Sequence, residues 1–320
     1  MPIDLDAIDQ PDARLVQAGL KHFGFYDGTL FGKPGPKTRA AYDRYRNGAH
    51  DDVVAAPPAE LPTYPRTVRD EIEFPGEIAD GTRGRKARRV QEWLTIQGFR
   101  TAIDDDFGPA TKRAVQTFQR ARGLAQTGTV DEQSWLALVA PMVRAFSRSE
   151  PGDSIGDTVL RVAKQHLKEH PIELGGANCG PWVRAYMDGN QGAPWAWCAG
   201  FVTFVMKQAA EIEGVPTPVR GSFSCDLLAT QAKEEGRFVS ERSIDSTAAN
   251  WSDDALGSCC IFLVRRTSRD WTHTGFAFGY RGDGTFATIE GNTNDEGSRE
   301  GYEVCRRVRG RSSKDFIRLI

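Results

Sequence analysis

An internal repeat constrains this chain more than any other feature of its sequence. Residues 15–48, LVQAGLKHFGFYDGTLFGKPGPKTRAAYDRYRNG, and residues 89–138, which begin RVQEWLTIQGF, share one pattern. Val16, Gln17, Leu20, Gly24 and Phe25 align with Val90, Gln91, Leu94, Gly98 and Phe99 at a single offset. After a small gap, Phe31 and Gly32 align with Phe107 and Gly108, and Thr38, Ala41 and Tyr45 with Thr111, Ala114 and Phe118. Each copy predicts an amphipathic helix ended by a glycine suited to a left-handed C-cap. A polar loop follows, then a second helix with Thr38 or Thr111 at its start. The second copy adds GTVDEQSWLAL, a third, closing helix, where the first copy is truncated or degenerate. Two copies are too few for a solenoid.

The segments around the repeats differ in composition. Residues 50–86, HDDVVAAPPAELPTYPRTVRDEIEFPGEIADGTRGRK, are rich in proline and charge and read as a semi-stiff linker. A second break, FSRSEPGDSIGD, covers residues 146–157.

The repeated pattern, with FG before a threonine and FQ at Phe118–Gln119, resembles the type-1 peptidoglycan-binding domain, a three-helix module. The resemblance covers residues 85–140 well and 12–48 less completely. It implies bacterial peptidoglycan as a partner. The loop around Asp104–Asp106 and Phe107 is the expected contact surface, with Asp106 and Phe107 as substrate-binding positions.

With 320 residues the chain has room for two or three domains. A net charge of −2 gives no reason to expect nucleic acid. No apolar run approaches the ~18–20 residues of a membrane span, so no membrane insertion is expected. The acidic start, MPIDLDAIDQ, lacks the basic and apolar regions of a signal peptide. The six cysteines, Cys179, Cys198, Cys225, Cys259, Cys260 and Cys305, all fall in the C-terminal half, without paired CxxC spacing. Most of them read as buried reduced thiols.

From about residue 156 the pattern changes. DTVLRVAKQHLKEH predicts an amphipathic helix, and a second begins near Trp197–Cys198 with Phe201, Val202, Val205 and Ala209 on one face. Beyond residue 257 come strand-like runs: SCCIFLVRR, HTGFAFGYR, TFATIEGNT, YEVCRRVRG and FIRLI. Helices followed by antiparallel strands predict an α+β fold.

Cys198 lies between aromatic, turn-forming residues and the first turn of a helix, in GAPWAWCAGF. It is either a small core filler or a nucleophile, and a nucleophile needs an exposed sulfur in an open groove. A thiol, pKa roughly 8.5, ionises more readily at a helix N-terminus and beside an imidazolium. His166 and His170 lie four apart on the first helix without an HExxH glutamate or a third ligand, and read as solvated surface. His273 opens a strand that contains Gly275, a suitable place for a Cys–His pair. On the next strand Glu290 and Asn292 are two apart and share a face, so either side chain could orient the imidazole. Asp188 and Asn190 in DGNQG lack the ligand run of a calcium loop and read as a turn.

The order of WC at a helix start, a histidine opening a strand and EGN on the next strand resembles the CHAP group. These cysteine amidohydrolases and peptidases are related to the NlpC/P60 hydrolases and are papain-like in fold. The resemblance covers about residues 156–320. It implies Cys198 as nucleophile, His273 as base, and Glu290 and Asn292 as the acidic and amide positions. Trp197 and, in GGANCGPWV, Asn178 are the expected substrate contacts.

The expected organisation is α+β. A degenerate binding-like repeat occupies residues 10–48, a linker 49–84, a three-helix binding domain 85–142 and a papain-like catalytic domain 156–320, in which helices pack on an antiparallel sheet. The expected function is an endolysin-like peptidoglycan hydrolase that cleaves an amide bond, as an amidase or an endopeptidase. No metal or other cofactor is called for, and a monomer is expected. Synthesis without a signal peptide fits action at the wall after phage lysis or specialised secretion. The alternatives are a wall-binding protein with a silent papain-like domain, and a metallo-amidase.

Overall fold

Buried glutamines organise the N-terminal half. The computed structural model describes residues 32–46, 66–245, 251–294 and 301–320, with Leu5, Gln10, Ala13, Val16, Gln17, Leu20 and Tyr26. The chain divides into two compact units, the first ending at Arg144 and the second running from Ala145 to Ile320. In the first unit α1 is Pro36–Arg46, α2 Arg66–Ile72, α3 Arg85–Ile96 and α4 Pro109–Ala121; α5, Glu132–Phe146, closes it and ends two residues into the second.

The repeat is visible as a shared brace. Gln17 Nε2 donates to Thr38 Oγ1 at 3.0 Å and to the Lys33 carbonyl at 3.2 Å, and its Oε1 accepts from the Gly32 N–H. In the second copy Gln91 Nε2 donates to Thr111 Oγ1 at 3.2 Å and to the Asp106 carbonyl at 3.0 Å. Its Oε1 accepts from the N–H groups of Asp104 and Asp105. In both copies an amide on one helix ties down the loop and the start of the next helix. A buried amide left without partners costs about 1–3 kcal/mol, so this position tolerates few other residues. Gly24, Phe25 and Phe31 lie outside the described residues.

The expected linker is only partly a linker. Residues 47–65 lie outside the described residues, but residues 66–84 are built into the second module. Val68, Ile72 and Ile78 are buried, Ile78 bridges to Val130, and Trp135 Nε1 donates to the Ile72 carbonyl at 2.8 Å. Arg89 and Glu71 form a buried ion pair at 3.2 Å. Prolines and charges in this stretch mask three apolar residues that fill the module's core.

In the second unit α6 is Ile155–Lys168, α7 Pro181–Tyr186, α8 Cys198–Glu213 and α9 Cys225–Glu234. β1 (Phe238–Val239) and the short helices α10 (Glu241–Asp245) and α11 (Asp253–Leu256) follow. The strands β2 (Cys259–Thr267), β3 (Asp270–Phe278), β4 (Thr285–Thr293), β5 (Glu303–Gly310) and β6 (Lys314–Arg318) match the five runs read from sequence. Among the described residues the six strands form one antiparallel sheet in the order β1-β6-β2-β3-β4-β5. The unit is thus a mixed helical and antiparallel-sheet fold.

Apolar residues cover both faces of this sheet. Phe201 of α8 meets Phe276 of β3 edge-on at 5.9 Å. Cys260, Phe262, Ala277, Phe286 and Phe316 pack with Ile244, Trp251 and Leu256. His166 is buried rather than solvated: Nδ1 contacts Tyr186 Oη at 2.8 Å and Nε2 contacts Gln208 Oε1 at 2.9 Å. Two polar partners inside the core let an imidazole occupy an apolar helix face. No described helix is long and apolar enough to cross a membrane.

Candidate active site

The first residue of α8 and His273, the fourth residue of β3, come together in the second unit. Cys198 opens α8, so its sulfur lies at the positive end of the helix dipole. The His273 side chain and the Thr274 backbone lie near enough to its thiol to favour the ionised form. Its Sγ also lies 3.9 Å from Cys225 Sγ. The Cys225 hydrogen bond lowers the Cys198 pKa most; burial opposes it, and His273 and the Thr274 backbone lower it further, to well below the ordinary thiol value.

His273 Nε2 lies 2.8 Å from Glu290 Oε2. Because Nε2 is engaged there, Nδ1 is the ring nitrogen left for the sulfur. Burial pulls the imidazole pKa down, but its bonds to Cys198 and Glu290 outweigh burial and raise it to about 9. Glu290 is completely buried. Arg309 grips it in bidentate fashion, Nε to Oε1 and Nη2 to Oε2, both at 2.6 Å, and Thr288 Oγ1 donates to Oε1 at 2.5 Å. Burial alone would raise the carboxyl; Arg309 and His273 bring it down to about 2. A thiol, an imidazole and a fixed carboxylate thus stand in line, an arrangement that can hold a thiolate beside an imidazolium.

The sheet register explains the alignment. The pairs Phe276↔Ile289 and Ala277↔Thr288 put odd residues of β3 and even residues of β4 on one face, which His273 and Glu290 share. Gly275 lies between them. A Cβ there would stand 2.8 Å from Glu290 Cγ, 2.9 Å from the Phe262 ring and 3.0 Å from the Ile289 carbonyl oxygen. Gly291 serves the other approach, since a Cβ would meet Phe201 at 2.7 Å and Trp197 at 2.9 Å.

Asn292 does not share in this alignment. The β4–β5 register shifts between Glu290 and Thr293, and Asn292 takes a left-handed φ of 52°. Side-chain alternation breaks there. Its Nδ2 donates to Glu173 Oε1 and Asn178 Oδ1, each at 3.1 Å, and to the Gly301 carbonyl at 2.9 Å. Of the two candidates, Glu290 is the one that contacts the imidazole.

Trp197 braces the site from within, whereas Asn178 is half-buried, and both are tied to Glu173. Trp197 is fully buried, stacks on Tyr186 with ring centroids 5.7 Å apart and donates Nε1 to Glu173 Oε1 at 2.7 Å. Asn178 donates its backbone N–H to Glu173 Oε2 and its Nδ2 to the Ala193 carbonyl. Glu173, which sequence reading did not single out, thereby joins the residue before Cys198 to the strand of Glu290. The sulfur is less exposed than expected: Cys198 is 5% exposed, while the His273 side chain keeps 15%. The thiol lies under α9 and its Cys225, contacts that the local sequence around Cys198 does not encode.

Cys225 and Arg309 also escaped the sequence reading. Cys225 carried a signal, since Ser224 caps α9 and the cysteine opens it, the same helix-start position that singled out Cys198. Arg309 carried none, because it reaches Glu290 only through strand pairing.

In the first unit, Asp106 is half exposed and pairs with Arg83 at 3.3 Å, whereas Phe107 is fully buried. Residues 83–138 match the peptidoglycan binding domain family. A peptidoglycan-binding domain is therefore present, and its role sets the wall as the place of action. Phe107 belongs to that module's core, where a sealed ring offers a glycan no surface, so the expected contact at this residue is corrected. The chain is also similar to the zinc D-Ala-D-Ala carboxypeptidase of Streptomyces albus G, at 43% identity over 58 residues. Those residues are 17% of this chain and 22% of that relative, so the chain spans less than a quarter of the relative's length. Among the described residues no three His, Cys, Asp or Glu side chains gather as a metal site.

Proposed function

We propose that this protein is a papain-like, CHAP-type peptidoglycan hydrolase that cuts an amide bond with the Cys198 thiolate. Its peptidoglycan-binding module holds it on the polymer, which raises local substrate concentration without altering the chemical step. The observation that carries the reading is the line from the Cys198 thiol through His273 to the Arg309-held carboxylate of Glu290. The relative is named as a zinc D-Ala-D-Ala carboxypeptidase, an enzyme that also acts on a peptide bond.

In this mechanism Cys198 attacks the carbonyl carbon while His273 carries the proton. The N–H groups at the start of α8 face the developing oxyanion. His273 then protonates the leaving amine, and water resolves the acyl-enzyme. Glu290 holds the ring orientation and stabilises the imidazolium; Arg309 keeps Glu290 ionised. Substrate enters from the His273 side, the more exposed of the two reacting groups.

The test is digestion of isolated cell walls, followed by mass spectrometry of the released fragments. New amines that disappear in Cys198→Ala, while the variant still sediments with the walls, support the reading. The fragment masses also tell a muramoyl-peptide bond from a stem or cross-bridge bond. One observation favours a silent, wall-binding papain-like domain instead: the 5% exposure of Cys198. On that reading the protein sediments with walls and releases nothing. Loss of activity to a chelator with indifference to thiol alkylation would move the chemistry to a metal.

A further inference from the structure

Two helices in the second unit begin with a cysteine, and the two sulfurs face each other. Cys198 is the first residue of α8 and Cys225 the first of α9, and Sγ to Sγ is 3.9 Å. A disulfide needs about 2.05 Å, a gap that side-chain rotation and a small shift of one helix start can close. Cys225 takes no covalent part in the proposed hydrolysis. Both residues are nearly buried, Cys198 at 5% and Cys225 at 7% exposure. Cys259 and Cys260 sit in β2, where Cys260 Sγ accepts a hydrogen bond from Tyr280 Oη at 3.1 Å.

We propose that Cys198 and Cys225 form a reversible disulfide when the protein meets a hydroperoxide, a modification that withdraws the nucleophile and protects it from irreversible oxidation. The chemistry balances without further reagents. The Cys198 thiolate attacks one peroxide oxygen, the O–O bond breaks, and the products are the Cys198 sulfenic acid and hydroxide, which takes a proton from the His273 imidazolium. The Cys225 thiol then attacks the sulfenic sulfur; the S–S bond forms, the S–O bond breaks, and water leaves with the thiol proton. In sum, two thiols and one hydrogen peroxide give one disulfide and two waters. The two thiols differ as such a pair requires: Cys198 is held toward the thiolate, whereas its hydrogen bond to Cys198, then burial, push the Cys225 thiol up. Peptidoglycan lies outside the reducing cytoplasm, where a disulfide persists.

The switching consequence rests on the proposed hydrolase reading, but the covalent chemistry does not. The test treats the full chain with hydrogen peroxide, blocks remaining thiols with N-ethylmaleimide and maps the digest by mass spectrometry. The expected result is a Cys198–Cys225 linked peptide, two hydrogens lighter than the free pair, that dithiothreitol releases. Release of wall fragments should fall at least tenfold and return with the reductant. In Cys225→Ala the same dose should drive Cys198 to sulfinic acid, which dithiothreitol does not reverse. Sulfinic acid at Cys198 of the unaltered chain without the linked peptide, or Cys225 linked to a different cysteine, overturns the proposal. Mapping of the unaltered chain decides the matter even where the variant fails to fold. A linked peptide from a protein that never releases wall fragments would keep the thiol pair and remove the hydrolase.

Discussion

His273 Nε2 and Glu290 Oε2 lie 2.8 Å apart, and the same carboxylate oxygen receives Arg309 Nη2 at 2.6 Å. A fully buried carboxylate is stable as an anion only when its partners outweigh desolvation. Arg309 therefore keeps Glu290 charged, and the charge in turn keeps the imidazolium.

Glu290→Gln keeps the shape of this contact and removes the charge. The imidazolium should lose its stabilisation, so turnover should fall about 10²-fold or more, within the range of acid–base contributions. The alkaline edge of the pH–rate profile should move below 9. Measurement of kcat and KM across pH checks both; an unchanged profile would deny Glu290 its orienting role.

The pH profile of the unaltered protein follows from the two shifted groups. Activity needs Cys198 as thiolate with His273 as imidazolium. The thiolate is already present below the ordinary thiol range because its pKa is lowered. The imidazolium persists until pH rises through about 9. Wall digestion should thus plateau through neutrality and fall above about pH 9. A rise continuing to pH 10 contradicts the assignment.

Gly275→Ala inserts a methyl group against Glu290 Cγ, the Phe262 ring and the Ile289 carbonyl. Overpacking of this kind costs about 1–3 kcal/mol. It should also push Glu290 away from His273, lowering kcat about tenfold with little change in KM. Thermal melting and steady-state kinetics test the two effects separately, and full activity in Gly275→Ala would show that the close approach is not needed.

His166 links stability to pH. Burial lowers its pKa to about 4, against the opposing bond to Gln208. The unfolded chain binds a proton near pH 6.5 and the folded chain only near 4. The contribution is therefore complete above pH 6.5 and is lost progressively as pH falls to about 4, a difference on the order of 3 kcal/mol. The melting temperature of the second unit should drop between pH 6.5 and 4.5, and His166→Gln should flatten that slope. A flat profile in the unaltered protein would refute the linkage.

Local sequence determined the periodic elements and the chemical types at their ends. The repeat, the Gln–Thr positions, the α8 start at Cys198, the β3 histidine and the β4 glutamate were all legible, because helical and strand periods and capping patterns act over a few residues. Tertiary structure alone decided which of these groups touch. Strand pairing brought Arg309 to Glu290, and the packing of α9 brought Cys225 to Cys198. A register shift and one left-handed residue turned Asn292 away from the imidazole, where simple alternation put it beside Glu290. Buried partners likewise turned His166, Phe107 and Trp197 into core residues. Such contacts depend on backbone geometry and on residues distant in the chain, and no local pattern of apolar and polar positions encodes them.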